Sequence, residues 1–166
     1  MARDRRFVAI HRGGELDPTR HRLLAGWAAD CAEHVLPLYV RSHPNDSRPA
    51  RAIDGAHAWA RGEITVGAAR RAAVEAHAAA REASDEAARA AARAAGHAVA
   101  TAHMADHALG PVYYGVKAVK AASSDADANT RAKVEHEWQR TRLPDDIREL
   151  VSSAIEEGSV LGRWRP

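Results

Sequence analysis

The chain has 166 residues, with 24 lysines and arginines against 22 aspartates and glutamates, a formal net charge of +2, ten histidines and one cysteine. That length suits one domain able to bury a core without staples. The near balance of charge excludes a strong field for nucleic acid, and the single cysteine excludes an internal disulfide or a cysteine-based zinc site.

The first residues lack the apolar stretch of a signal peptide, and no run approaches the roughly 20 apolar residues of a membrane span. A cytoplasmic protein with no membrane and no specific nucleic-acid partner is the simplest expectation. About a quarter of the residues are alanine and only 5% are aromatic. The core is therefore expected to come from close backbone packing plus a few large anchors, Trp27 and Trp59 among them.

In chain order, residues 1–16 read as a variable N-terminal arm. Phe7, Val8 and Ile10 suit either a short extended segment or an arm lying on a bundle, and Gly13-Gly14 closes it. Asp17 and Pro18 open a first helix as N-cap and first helical residue. Leu24, Ala28, Cys31, Val35 and Leu38 form its buried stripe, widened by Leu23 and Trp27. Pro37 is expected to kink or end that helix near Val35.

A second helix is predicted from about Pro49 to Arg61, with Ile53, Ala56 and Ala60 on one face and Gly62 past its end. Thr65 caps a third, Val66 to about Glu82, with Val66, Ala69, Ala73, Ala76 and Ala80 inward. Ala83 to Ala108 then reads as one continuous central helix, capped by Ser84 and stopped by Gly110-Pro111. Its small side chains let neighbours approach closely. A fifth helix spans Pro111 to Ala122, with Val112, Val116 and Val119 inward. A sixth carries Val134, Trp138 and Arg131 on one side. A short seventh follows Leu143-Pro144, buries Ile147, Leu150, Val151 and Ala154, and stops at Gly158. Residues 159–166 form a tail containing Trp164. The expected fold is all-α: a single compact bundle of about seven helices over 17–158, around a central alanine-rich helix.

Three constellations carry potential chemistry. On the central helix, His103 and His107 are four residues apart, so both rings can face one side and chelate zinc or another divalent metal with a third ligand. The zincin pattern is absent, because Met104 stands where it needs glutamate. The competing reading is a polar helix face, or buried rings bonded to carbonyls. On the first helix, Cys31 and His34 beside Asp30 suit a thiolate–imidazole pair, but Cys31 lies on the apolar stripe, where a free cysteine behaves as a small hydrophobe. On the second, Asp54, His57, Arg51 and Glu63 read as a surface charge network or as a polar cluster facing His77 or His103. A catalytic or metal site, if present, is expected beside His103 and His107, with His57, Asp54 or His77 opposite. Whether the chain is an enzyme is left open by these residues. They contain no phosphate loop, nucleophile elbow or dinucleotide fingerprint, so no further cofactor is expected.

The blocks RPARAIDGAHAWARGE and AAVEAHAAAREASDEAARAAARAAGHAVATAHMADHALGPVYYGVKAV resemble immunity proteins of bacterial polymorphic-toxin systems, which are small alanine-rich helical proteins. The arginine-proline start, the Ala-His at His77 and the Ala-Ala-Arg-Ala-Ala-Gly step ending at Gly96 carry the resemblance. The segment HEWQRTRLPDDIRELV is similar to the end of one branch of that group. The resemblance spans about Leu23 to Val151 and implies a non-enzymatic helical protein that binds a protein partner, a toxin domain, and neutralises it. It implies no catalytic residues. The alternative is a small enzyme or metal protein using the histidines of the central helix.

Overall fold

A computed structural model describes residues 4–157. Among them are seven α-helices: α1 Pro18–Val40, α2 Arg48–Ala60, α3 Val66–Glu82, α4 Glu86–Ala100, α5 Gly110–Ala121, α6 Ala128–Thr141 and α7 Asp145–Glu156. No strand occurs among the described residues; a lone bridge pairs Ala9 with Leu16. The expected stop at Gly158 and the tail 159–166 with Trp164 lie outside the described residues.

The hub is α4, which packs against α1, α2, α3 and α5. Alanine drives this in two ways. It forms helix at the lowest entropic cost, and its single methyl lets neighbouring backbones come close. Every residue from Ala90 to Ala100 except Arg93 is buried, so the helix is enclosed almost all round. Of the anchors around it, Trp27 is buried on α1, whereas Trp59 at the end of α2 is half-buried.

The helices differ from expectation in four places. The central helix begins later and ends earlier than Ala83 to Ala108. Ser84 is exposed, and the cap is Asp85, whose carboxylate accepts from the Ala88 N–H at 2.8 Å. That bond holds the Asp85 carboxyl below its usual range. At the other end the Thr101 hydroxyl donates to the His97 carbonyl at 3.2 Å. The backbone then tightens through bonds from Ala102 to Val99 and from His103 to Ala100. A threonine that bonds back to the preceding turn competes with the helical ladder, and propensity alone does not show it. A 3-10 turn, Ala105–Leu109, follows. Gly110-Pro111 therefore opens α5 instead of closing α4, since proline's fixed φ and missing N–H suit a first helical turn.

The other three corrections are smaller. Helix α1 runs through Pro37 to Val40; the carbonyl that loses its partner is that of Glu33, on the exposed side. Val66 is exposed at the start of α3, while Ala69, Ala73, Ala76 and Ala80 are buried as the periodicity predicts. On α6 the inward face is one residue round from the expected one. Val134 is exposed and Trp138 half-buried, whereas Glu135 and Gln139 are buried. Glu135 accepts from Gln139 Nε2 at 2.9 Å and pairs with His34 Nδ1 at 2.8 Å. These polar groups sit against Gly115 of α5, where a Cβ would come within 2.8 Å of Gln139 Nε2. The burial of polar residues through mutual hydrogen bonds is what the hydrophobic pattern could not register.

The segment before α1 is tied to the bundle. Phe7 and Leu16 are buried in the core. Arg6 holds Glu157 at the end of α7 at 2.7 Å. The chain crosses itself where a Cβ on Gly14 would collide with the Val8 carbonyl, and Gly13 adopts φ +81°.

Candidate functional site

Most of the sequence-predicted residues lie around the break between α4 and α5, but in separate environments. His77 of α3 and His107 of the 3-10 turn converge on His97 of α4. The His97 and His107 Nδ1 atoms are 3.0 Å apart, so one ring donates to the other. His77 meets His97 edge-on, with centroids 4.9 Å apart, and Tyr114 of α5 stacks on the other side of His97 at 5.3 Å.

Two glycines make this cluster possible. A Cβ on Gly96 would lie 2.6 Å from His77, and one on Gly110 would lie 2.5 Å from the His97 Cβ. A glycine inside a helix costs about 1 kcal/mol relative to alanine. In an alanine-rich helix, Gly96 was thus the signal that something bulky presses there. Gly110→Ala is expected to destabilise the fold by about 1–3 kcal/mol, because the His97 Cβ is fixed to a buried backbone. A denaturant melt unchanged by the substitution would contradict this packing.

The electrostatics follow from burial. His97 is pushed down to about 2 by burial first, then by His107, His77 and Arg93. His77 is lowered to about 4 by burial, with Arg93 the next cause. Arg93 Nη1 donates to His77 Nδ1 at 3.2 Å, and arginine has no acceptor, so Nδ1 carries no proton. Both imidazoles are therefore neutral near pH 7.

His103 is on the turn after α4, with its ring 5.4 Å from that of His107. It also lines a second feature, a cleft of about 120 Å³ lined in addition by Arg12, His11, His21 and Trp59. His21 Nε2 lies 2.7 Å from the Thr101 carbonyl and its ring 4.8 Å from Trp59. His21 is shifted down by burial, opposed by that carbonyl and reinforced by His11, Arg12 and Arg22. Neither His11 nor His21 stood out in the sequence, because the fold alone brings the N-terminal segment over this break.

His57 and Asp54 do not join either group. Asp54 is exposed on α2. His57 Nε2 faces α1, 3.7 Å from Asp30 Oδ1 and 3.9 Å from Glu33 Oε2. Among the described residues, Asp30, Glu33 and His57 are the group of three potential metal ligands whose atoms all lie within 4.8 Å of one another. Cys31 is buried, and burial raises its thiol well above the usual range, followed by the Glu135 and Asp30 charges. The buried thiol is the small hydrophobe of the α1 stripe.

A family model described as Imm-5 like putative immunity protein matches residues 14–146, which takes in α1 to α6 and the start of α7. No curated protein and no solved structure matches the chain. No described helix is long and apolar enough to cross a membrane. On the strength of a match over most of its length, the chain belongs to the family described as Imm-5 like putative immunity protein.

Proposed function

We propose that the chain is a bacterial, cytoplasmic immunity protein that binds a toxin domain and neutralises it by contact, without catalysis. Family membership is the observation that carries this reading. An open groove of about 690 Å³ between α5 and α6 supports it. Val112, Tyr113 and Val116 give the groove apolar surface, and Lys117, Lys120 and Asp125 give it charge, the mixture typical of protein interfaces. The experiment is co-expression with the polymorphic-toxin domains of the same genome. The expected outcome is rescue of growth against at least one of them. Failure to rescue against any would reject the immunity reading.

A second reading, a small enzyme or metal protein using the histidines after the central helix, is supported by the side-by-side rings of His103 and His107, 5.4 Å apart. His103 and His107 remain the residues proposed for it. Metal analysis of protein purified without a histidine tag separates the two readings: stoichiometric zinc favours the second.

A further inference from the structure

The cleft beside the α4 break gathers an arginine and three histidines. Among the described residues its ionisable lining is His11, Arg12, His21 and His103, with no carboxylate. Arg6, on the same segment as Arg12, is held by Asp4 and Glu157. Arg12 has no carboxylate partner among the described residues. Its guanidinium donates to the His103 carbonyl at 3.4 Å.

We propose that this cleft binds a phosphate group, either free or as a phosphomonoester. Four observations lead there. The lining carries one fixed positive charge, Arg12, and three imidazoles that can present N–H donors to an oxyanion. The charged neighbours that act on His21, namely His11, Arg12 and Arg22, all oppose its protonation. A bound anion would reverse that balance. Phe7, Ala102 and Ala105 are buried beneath the cleft, which lowers the local dielectric and strengthens charge-assisted bonds to an oxyanion. The walls are also built in advance. The Arg12 N–H bonds to the Ala9 carbonyl at 2.8 Å, and that of Gly13 to the Ile10 carbonyl at 2.9 Å, while the Thr101 carbonyl holds His21. At about 120 Å³ the open cleft has room for a phosphate group. A metal fits less well, because His11, His21 and His103 do not bring their ring nitrogens within 4.8 Å of one another.

This proposal is independent of toxin binding and is tested on the chain alone. The imidazole and indole signals are followed by NMR while inorganic phosphate or O-phosphoserine is added at constant ionic strength, with chloride and acetate as controls. The expected result is saturable shifts of His21, His103 and Trp59 at millimolar phosphate. Affinity should fall about tenfold or more in Arg12→Gln, an exposed position whose change leaves the melting curve in place. Binding of inorganic phosphate without O-phosphoserine identifies the free ion; binding of both identifies a phosphomonoester. Three results would overturn the proposal: no saturable shift with either probe, equal shifts with chloride or acetate, or an affinity untouched by Arg12→Gln.

Discussion

Trp27→Ala is expected to destabilise the protein by about 3–5 kcal/mol, the range for truncating a fully buried large aromatic. Trp27 is 2% exposed, and its indole N–H donates to the Gln139 carbonyl on α6 at 3.0 Å. It also lines the space shared with Leu143 and Ile155, so it anchors the last two helices to α1. Alanine there would leave a cavity and strip the Gln139 carbonyl of its indole donor, leaving it only the Arg142 N–H at 3.3 Å. Trp59→Ala should cost less, since that ring is half-buried against His21 and under the Arg22 guanidinium. Denaturant melts check both. A loss below about 1 kcal/mol for Trp27→Ala would contradict its place in the core.

Acid is the second large lever. His97 and His77 sit far below their ordinary value of 6.5, at about 2 and about 4. In the unfolded chain each takes up a proton near pH 6.5, whereas in the folded chain each stays neutral. The unfolded state thus binds more protons, and stability rises with pH across this window. The contribution is fully present above pH 6.5 and is lost as the pH falls toward about 4 and below. Each group contributes a slope of about 1.4 kcal/mol per pH unit; between pH 6.5 and about 5 the pair should remove about 3 kcal/mol, with His77 discounted for its partial exposure. Lowered carboxylates such as Asp85 act only at lower pH, so this window belongs to the histidines. Urea melts at pH 7.5, 6.5 and 5 would read the slope. A stability that stayed flat across that range would mean the rings are solvated in the folded state.

The helical bundle was legible because periodicity and capping are local. Thr65 and Asp17 cap the helices they were expected to cap, and the α3 alanines at 69, 73, 76 and 80 face inward. The α4 terminus was not legible, because alanine propensity favours continuing where Thr101 and the packing of the next segment turn the chain. The inward face of α6 was missed for a different reason: Glu135 and Gln139 are buried by bonding to each other and to His34, which leaves no apolar pattern. The candidate residues show the same limit. A spacing of four placed His103 and His107 on one helix face, but their mutual position is set by the break at Thr101. His97 is ten residues from His107 along the chain, yet the 3-10 turn brings His107 back to it.

The proposed immunity by direct binding is read out by a binding assay between this chain and a toxin domain that it relieves in cells. The two purified proteins should co-elute as a stoichiometric complex, and the toxin's activity should fall in proportion to the complex formed. Relief of toxicity without a complex, or at a chain-to-toxin ratio far below one, would contradict the account and point to catalysis instead.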